Sequence, residues 1–421
     1  MSETNPELIS VFLWQIGIML AVGLIFGQVM RRFNQPAVLG ELIGGIVLGP
    51  TIFGFFLPPV YQTLFPSQAE ITQAREAIIR IGMLFFMFVA GLEVNLSQLR
   101  QRKQSILLVS ILGCLFPFSL GAASILLFPN FWEYSPASKG TNFLLFIGIA
   151  LSISALPVIT RILMDLRLLD TELGGIVITS AAINDLLGWS LFALLLSNLT
   201  VNNLQDNAFK TIGLTFVFSV LVVGVGRGIG KYLFPWARNA LIWPSGFLGV
   251  STIFIFIAAA TAETMNIHAI FGAFLIGVAL FPIFEQDGVT PAKEIIHQFA
   301  LTLFAPLYFV SVGLKANFAA NFDIQLVLLI VGLATIGKVG GAVVGAWISG
   351  INFKDTWAIG FAMNARGAME MILASIALEV GLIDQRIFVA LVTMALVTSI
   401  MSGPLLQRLF KLPKTVAVNR L

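Results

Sequence analysis

Long apolar segments follow one another along most of this chain, and short stretches rich in polar residues, glycine or proline separate them. A transmembrane helix needs roughly 20 predominantly apolar residues, and most of these segments reach that length. The pattern predicts an all-α polytopic membrane protein with about thirteen transmembrane helices. The predicted spans are residues 8–30, 36–56, 76–94, 105–128, 142–164, 171–199, 209–234, 244–265, 267–283, 297–314, 324–349, 356–380 and 385–410.

The composition supports a membrane protein and excludes several other classes. Of the 421 residues, 58% are hydrophobic and 11% are charged, and the mean hydropathy is +0.95. Soluble domains have about 25% charged residues. No run of Lys or Arg resembles a nucleic-acid-binding patch. With one cysteine, Cys114, and two distant histidines, we expect no internal disulfide, no metal cluster and no cofactor. The Ser/His, paired-Asp and HExxH constellations of intramembrane enzymes are absent, which indicates that the protein is not an enzyme.

Basic residues are distributed unequally between the two sets of alternate loops. One set contains Arg31, Arg32, Arg100, Arg102, Lys103, Arg161, Arg167, Lys231, Arg238, Lys293, Lys354, Lys411 and Lys414. The opposite set contains Arg75, Lys139, Lys210, Lys315 and Arg386. Because loops rich in Lys and Arg face the cytoplasm, we expect the N-terminus outside and the C-terminus in the cytoplasm. The sequence leaves open whether the membrane is the plasma (inner) membrane or an internal energy-coupling membrane.

Asp185 lies near the middle of an apolar stretch, residues 174–196. Inserting an aspartate at that depth costs roughly 2.5–3.5 kcal/mol. The amide of the preceding residue, Asn184, could ligate a cation or orient the carboxylate. Asp185 is either a structural residue satisfied by a neighbouring helix or a carrier of an ion or proton. Intramembrane acids favour the second interpretation.

Two predicted spans contain residues that interrupt a helix. In the fifth span, Ser152 and Ser154 precede Pro157. Proline removes a helical hydrogen bond, so nearby carbonyls and the two hydroxyls become available as oxygen ligands. A simple proline kink is the alternative interpretation. In the twelfth span, glycine and polar residues cluster at Asn364–Gly367, which predicts a second interruption.

Three more charged residues lie at membrane depth. Lys338 stands between glycines in the eleventh span, too deep for its ammonium group to reach the interface easily. Arg366 and Glu370 are four residues apart on one helical face and could neutralise each other. They form either a purely structural pair or a pair that compensates charge beside a site.

The two halves of the chain share an order of continuous and broken spans. Spans four to six and spans eleven to thirteen each have the interrupted helix in the middle. If the seventh span is a connector, spans 1–6 and 8–13 have opposite orientations in the membrane. This arrangement is typical of an inverted repeat, in which two broken helices cross at the midplane and form the site.

Seven segments in order carry a resemblance to a known family. They are GELIGGIVLGP (40–50), GMLFFMFVAGLE (82–93), ALSISALPVITRIL (150–163), AIND (182–185), HAIFGAFLIG (268–277), PLYFVSVGLK (306–315) and MNARGAME (363–370). Together they resemble the monovalent cation:proton antiporter-2 family, especially its CHX-like and Kef-like members. The resemblance implies the cation/proton antiporter fold and an antiporter that exchanges Na⁺ or K⁺ for H⁺.

The resemblance also implies that the chain is one membrane transport unit, residues 1–421, whose regions have different structural roles. Residues 8–94 and 244–314 would form a dimerisation or scaffold domain of a homodimer in the lipid bilayer. Residues 105–199 and 324–410 would form a core that moves like an elevator, with 209–234 as the connector. Large cytoplasmic C-terminal domains occur in many such members, and we expect none on this chain.

Individual site residues follow from the same resemblance. Asp185 would bind a proton and a monovalent cation in turn, with Asn184, Ser152 and Ser154 beside it. Lys338 falls where many relatives place a lysine that faces the acid pair, and Arg366 and Glu370 would compensate charge at the helix crossing.

With Asn184 in place of a second acid, one carboxylate remains, which favours electroneutral exchange. Titration of Lys338 would instead make the exchange electrogenic. A gated K⁺ efflux channel and a sodium-coupled organic-anion symporter stay as alternatives, and the sequence does not choose between Na⁺ and K⁺.

Overall fold

The structure, a computed structural model, describes residues 6–33, 35–66, 68–94, 102–133, 136–166, 168–169, 171–200, 208–265, 267–286 and 289–410. Its regular elements are all helical in the described residues. The helices are α1 (Pro6–Arg32), α2 (Ala37–Leu48), α3 (Phe53–Phe56), α4 (Pro58–Leu64), α5 (Ala69–Leu92), α6 (Lys103–Leu127), α7 (Pro136–Ser152), α8 (Leu156–Asp165), α9 (Glu172–Thr200), α10 (Ala208–Ala240), α11 (Ser245–Thr264), α12 (Ala269–Phe284), α13 (Thr290–Phe299), α14 (Ala305–Lys315), α15 (Phe318–Asn321), α16 (Ile324–Ile348), α17 (Phe353–Met363), α18 (Ala368–Glu379) and α19 (Gln385–Phe410).

Each predicted span coincides with one helix or with a consecutive pair of helices, so the all-α polytopic prediction is confirmed. Within the described residues, nine helical segments are long and apolar enough to cross a membrane. The remaining predicted spans differ from these for visible reasons. Two are broken, α7/α8 and α17/α18, and α12 has only 16 residues. The first half of α5 carries charged residues, which lower its hydropathy.

Several local features do not follow from the hydropathy pattern. The short helices α4 and α15 lie between predicted spans. A π-helical segment, Ala300–Phe304, joins α13 to α14 inside what the sequence predicts as a single span. Among the basic residues used to predict the orientation, Arg100, Arg167, Lys411 and Lys414 lie outside the described residues. The orientation of the termini therefore stays a prediction.

The chain forms two compact units. The first comprises Met1–Leu20, Gln62–Asn95 and Trp189–Tyr308. Within it, α5 and α12 cross so closely that a Cβ on Gly91 or Gly277 would overlap the backbone of the other helix. Such close approach is typical of membrane helices, where small residues allow van der Waals packing of the backbones.

The second unit comprises Ala21–Tyr61, Leu96–Gly188 and Phe309–Leu421, and it contains all of the predicted site residues. Its centre is the contact of α6 with α16. Glycines on α16 make this contact close, because a Cβ on Gly345 would lie only 2.6 Å from the carbonyl oxygen of Leu108. Which unit serves as scaffold and which as core stays a prediction.

The α6–α16 crossing yields a stability prediction. Gly345→Ala should lower the free energy of unfolding by about 1–3 kcal/mol, because the added methyl group meets the backbone of α6. Gly332→Ala, on the same helix, is the matched control, since nothing lies within 4 Å of the position that its Cβ would take. We expect the control to be neutral or slightly stabilising. Thermal unfolding in detergent measures both variants, and equal unfolding temperatures would contradict the close crossing.

Candidate ion-binding site

The first helix break lies between α7 and α8. The helix ends at Ser152, residues 153–155 are not helical, and α8 begins at Leu156. Pro157 occupies the first turn of α8, where its missing N–H costs nothing, so the break precedes the proline. The hydroxyl of Ser152 donates to the carbonyl oxygens of Gly148 and Cys114, at 2.7 and 2.8 Å. The break therefore leaves helix ends buried inside the second unit.

The second break lies where the sequence predicts it. The helix α17 ends at Met363, and α18 begins at Ala368. The two breaks are joined directly, because the backbone N–H of Ala155 donates to the carbonyl oxygen of Ala365 at 3.1 Å. A Cβ on Gly367 would lie 3.0 Å from the Val158 side chain, so α18 begins close against α8.

Arg366 neutralises the carbonyl end of the first broken helix. Its guanidinium group donates to the carbonyl oxygen of Ala150 at 2.9 Å and to that of Leu151. It also donates to Glu370 at 3.1 Å, and both side chains are almost completely buried. Carbonyls at a helix C-terminus carry a partial negative charge, which a cation stabilises. The predicted pair is therefore an ion pair that also caps α7.

Lys338 connects α16 to the first break and to α9. Its ammonium group donates to the carbonyl oxygen of Ser152. The amide of Asn184 is oriented by its neighbours, with its oxygen accepting from Lys338 at 2.9 Å and its nitrogen donating to the carbonyl oxygen of Ser110 at 2.8 Å. A buried lysine at membrane depth thus has hydrogen-bond acceptors on two elements.

Asp185 lies on α9 beside this network, and its side chain is 1% exposed. The amide that accepts from Lys338 belongs to Asn184, the residue immediately before Asp185 on α9. Gly188, one turn later on α9, lies against Ile153, which brings this helix close to the first break. The second unit therefore gathers one acid, one lysine and one ion pair around two broken helices.

Each predicted site residue has a place in this arrangement. Asp185, Asn184, Ser152, Ser154, Lys338, Arg366 and Glu370 are all buried in the second unit. Sequence reasoning missed the partners that orient them, namely the Ser110 carbonyl and the hydroxyl of Ser399, which donates to the carbonyl oxygen of Arg366. No cluster of three or more His, Cys, Asp or Glu side chains suited to a metal ion occurs among the described residues.

The buried ion pair predicts a large effect of a single substitution. Arg366→Gln should lower the free energy of unfolding by about 3–5 kcal/mol, because it leaves Glu370 and the α7 carbonyls without a cation. The partly exposed pair of Lys315 with Glu379 is the control, and Lys315→Gln should cost about 1 kcal/mol or less.

Denaturant unfolding in detergent micelles compares Arg366→Gln, Glu370→Gln and the double variant Arg366→Gln/Glu370→Gln. We expect the double variant to lose clearly less than the sum of the two single substitutions, because the two side chains interact. Additive losses would contradict the pairing.

Known proteins resemble the chain along nearly its whole length. The family described as sodium/hydrogen exchanger, transmembrane, matches residues 17–412. The Na(+)/H(+) antiporter NhaS4 of Synechocystis sp. is 32% identical over 416 residues, which are 98% of this chain and 99% of that protein. The solved structure of the sodium proton antiporter MjNhaP1 from Methanocaldococcus jannaschii covers 95% of this chain and 96% of its own, with a TM-score of 0.68 and 16% identity. That likeness shows a shared fold.

Two other relatives are longer proteins. Cation/H(+) antiporter 17 of Arabidopsis thaliana is 32% identical over 96% of this chain, and K(+)/H(+) antiporter 1 of Saccharomyces cerevisiae is 28% identical over 96%. The chain spans 48% and 46% of their lengths. The resemblance to cation:proton antiporters is confirmed, and the chain belongs to the sodium/hydrogen exchanger transmembrane family.

Proposed function

We propose that this protein is a secondary active antiporter that exchanges Na⁺ or K⁺ for H⁺, with Asp185 as the shared carrier. The observation that carries the proposal is a buried carboxylate beside two helix breaks that are tied together by hydrogen bonds. Membership of the exchanger family supports a transporter rather than an enzyme, and relatives named as Na(+)/H(+) and K(+)/H(+) antiporters support these substrates.

Coupling rests on competition for one carboxylate. A proton or an alkali cation on Asp185 neutralises the charge that a bare carboxylate carries. Moving the bare charge through a low-dielectric barrier costs several kcal/mol, so the carrier crosses mainly when it is loaded. Because the proton and the cation exclude each other from Asp185, inward movement of one is linked to outward movement of the other.

We propose that the exchange is electroneutral, with one cation moved for each proton. Lys338 supports this stoichiometry because its ammonium group has acceptors on two elements, the Ser152 carbonyl and the Asn184 amide. These contacts favour a lysine that keeps its proton through the cycle. The two loaded states of Asp185 then carry the same net charge.

Alternating access is proposed to be of the elevator type in a homodimer. Residues 105–199 and 324–410 would move past residues 8–94 and 244–314, with 209–234 as the connector. The hydrogen bonds of Ala155 and Arg366 hold both broken helices as one piece, which suits movement of the site as a rigid body. We place the N-terminus outside and the C-terminus in the cytoplasm on the distribution of Lys and Arg in the loops.

Transport by Asp185→Asn tests the proposal. In proteoliposomes with an acidic interior, addition of Na⁺ or K⁺ to the wild type should collapse the pH gradient, reported by a pH-sensitive dye. Asp185→Asn should abolish the cation-dependent signal, because an amide does not take up and release a proton in competition with a cation. Glu379→Gln makes the same chemical change at an exposed residue and should transport normally.

The same vesicles distinguish the alternatives. Electroneutral exchange predicts a rate that does not change when a membrane potential is imposed. Cation flux without proton movement would favour a channel, and flux that requires an organic anion would favour a symporter. Normal exchange by Asp185→Asn would exclude this residue as the carrier.

A further inference from the structure

Asn364, at the start of the second break, is a buried amide whose polar atoms are unsatisfied. Its side chain is 0% exposed, and neither its oxygen nor its nitrogen has a hydrogen-bond partner among the described residues. Leaving a buried polar group unpaired destabilises the folded state, because the group loses its hydrogen bonds to water. Because most buried polar groups in native proteins are hydrogen-bonded, this one needs an explanation.

The position of Asn364 mirrors that of Ser154 on the first break. Ser154 immediately precedes Ala155, and Asn364 immediately precedes Ala365, the two residues that join the breaks through a backbone hydrogen bond of 3.1 Å. The hydroxyl of Ser154 is also buried and has no hydrogen-bond partner in the part of the chain that the structure describes. Each half of the repeat thus contributes one unsatisfied side-chain oxygen at the crossing.

Covalent geometry limits how far apart the two residues are. With the Ala155–Ala365 hydrogen bond between them, the Cα atoms of Ser154 and Asn364 are at most about 12 Å apart. A serine hydroxyl and an asparagine amide each extend several ångströms from the backbone, so both can approach one ion between the breaks. Other unsatisfied atoms of the second break, on Arg366 and Glu370, belong to side chains that already bind each other.

Chemistry favours a cation as the ligand of these oxygens. Hard cations take carbonyl, amide, hydroxyl and carboxylate oxygens, and neutral oxygens bind an ion without adding charge. An amide oxygen at Asn364 would therefore complete the shell of a cation held by Asp185 and leave the one-for-one stoichiometry unchanged. How well this oxygen binds an ion would depend on the radius of the ion, because the backbone of the break fixes the position of the Asn364 side chain.

We propose that the Asn364 side-chain oxygen binds the transported alkali cation, opposite Ser154, and that it sets the preference between Na⁺ and K⁺. The inference rests on the proposed antiport function and adds a ligand from the second broken helix. This oxygen has no role when Asp185 carries a proton. Asn364 therefore affects binding of the cation and not binding of the proton.

Asn364→Leu tests the proposal, because leucine resembles asparagine in size and lacks its polar atoms. The apparent KM for Na⁺ or K⁺ in the proteoliposome assay should rise about tenfold, and the ratio of the two KM values should change. In detergent without alkali cations, the variant should unfold at the wild-type temperature or above, since it removes an unpaired buried amide. The stabilisation that added Na⁺ or K⁺ confers on the wild type should shrink.

Asn317→Leu is the matched control at a half-buried position that caps α15, and it should leave both KM values unchanged. If Asn364→Leu does not fold, Asn364→Ser, which keeps an oxygen on a shorter side chain, should still alter the ratio of the KM values. Unchanged KM values, or a lower unfolding temperature with the full cation-dependent stabilisation, would overturn the proposal. Loss of exchange in Asp185→Asn together with normal cation affinity in Asn364→Leu would reject this ligand and retain the proposed function.

Discussion

Burial of broken helix ends inside the second unit is the constraint on which the site depends. Where α7 stops at Ser152, its last carbonyls have no intrahelical partner, and the residues that carry them are buried. Arg366 supplies the missing donors to Ala150 and Leu151, and Glu370 balances its charge. Without this pair, the first break would leave two unpaired carbonyls, those of Ala150 and Leu151, in a low-dielectric interior, so the ion pair makes the break possible.

The charged residues of the site fall into two groups: those that stabilise the helix breaks, and Asp185. Arg366 and Glu370 satisfy each other and the end of α7. Lys338 binds a carbonyl of the first break and the Asn184 amide. Asp185 lies beside these contacts on a different helix, α9. Other side chains cap the helix ends. Asp185 could therefore exchange a proton for a cation, as proposed, without disturbing the hydrogen bonds that hold the two breaks.

The sequence predicts the features that depend on local properties of the chain and misses those that depend on long-range packing. The spans and the break at Asn364–Gly367 were predictable because hydropathy and glycine content are local properties. The sequence predicts the first break at Pro157, yet the helix stops earlier and the proline lies in the first turn of α8. A proline restricts the residue before it and also suits a helix start, so its presence alone does not say which side is unwound.

The partners of the site residues were not predictable for a different reason. Lys338 and Arg366 bind backbone carbonyls of Ser152, Ala150 and Leu151, which lie 186, 216 and 215 residues away in the chain. Every residue has a carbonyl, so no side-chain pattern marks which ones will be exposed by a break. The π-helical segment at Ala300–Phe304 likewise has no distinctive composition. Long-range packing decides these features.

The Asn184 amide gives a physical reason why one carboxylate can suffice for the proposed exchange. Its nitrogen donates to the Ser110 carbonyl, and its oxygen accepts from Lys338. An aspartate at this position could accept from Lys338, but only its protonated form could donate to the carbonyl. A second acid would therefore have to gain a proton to donate to the Ser110 carbonyl and lose that proton when it no longer did so. By making both contacts without titrating, the amide keeps Lys338 in place and would leave proton exchange to Asp185.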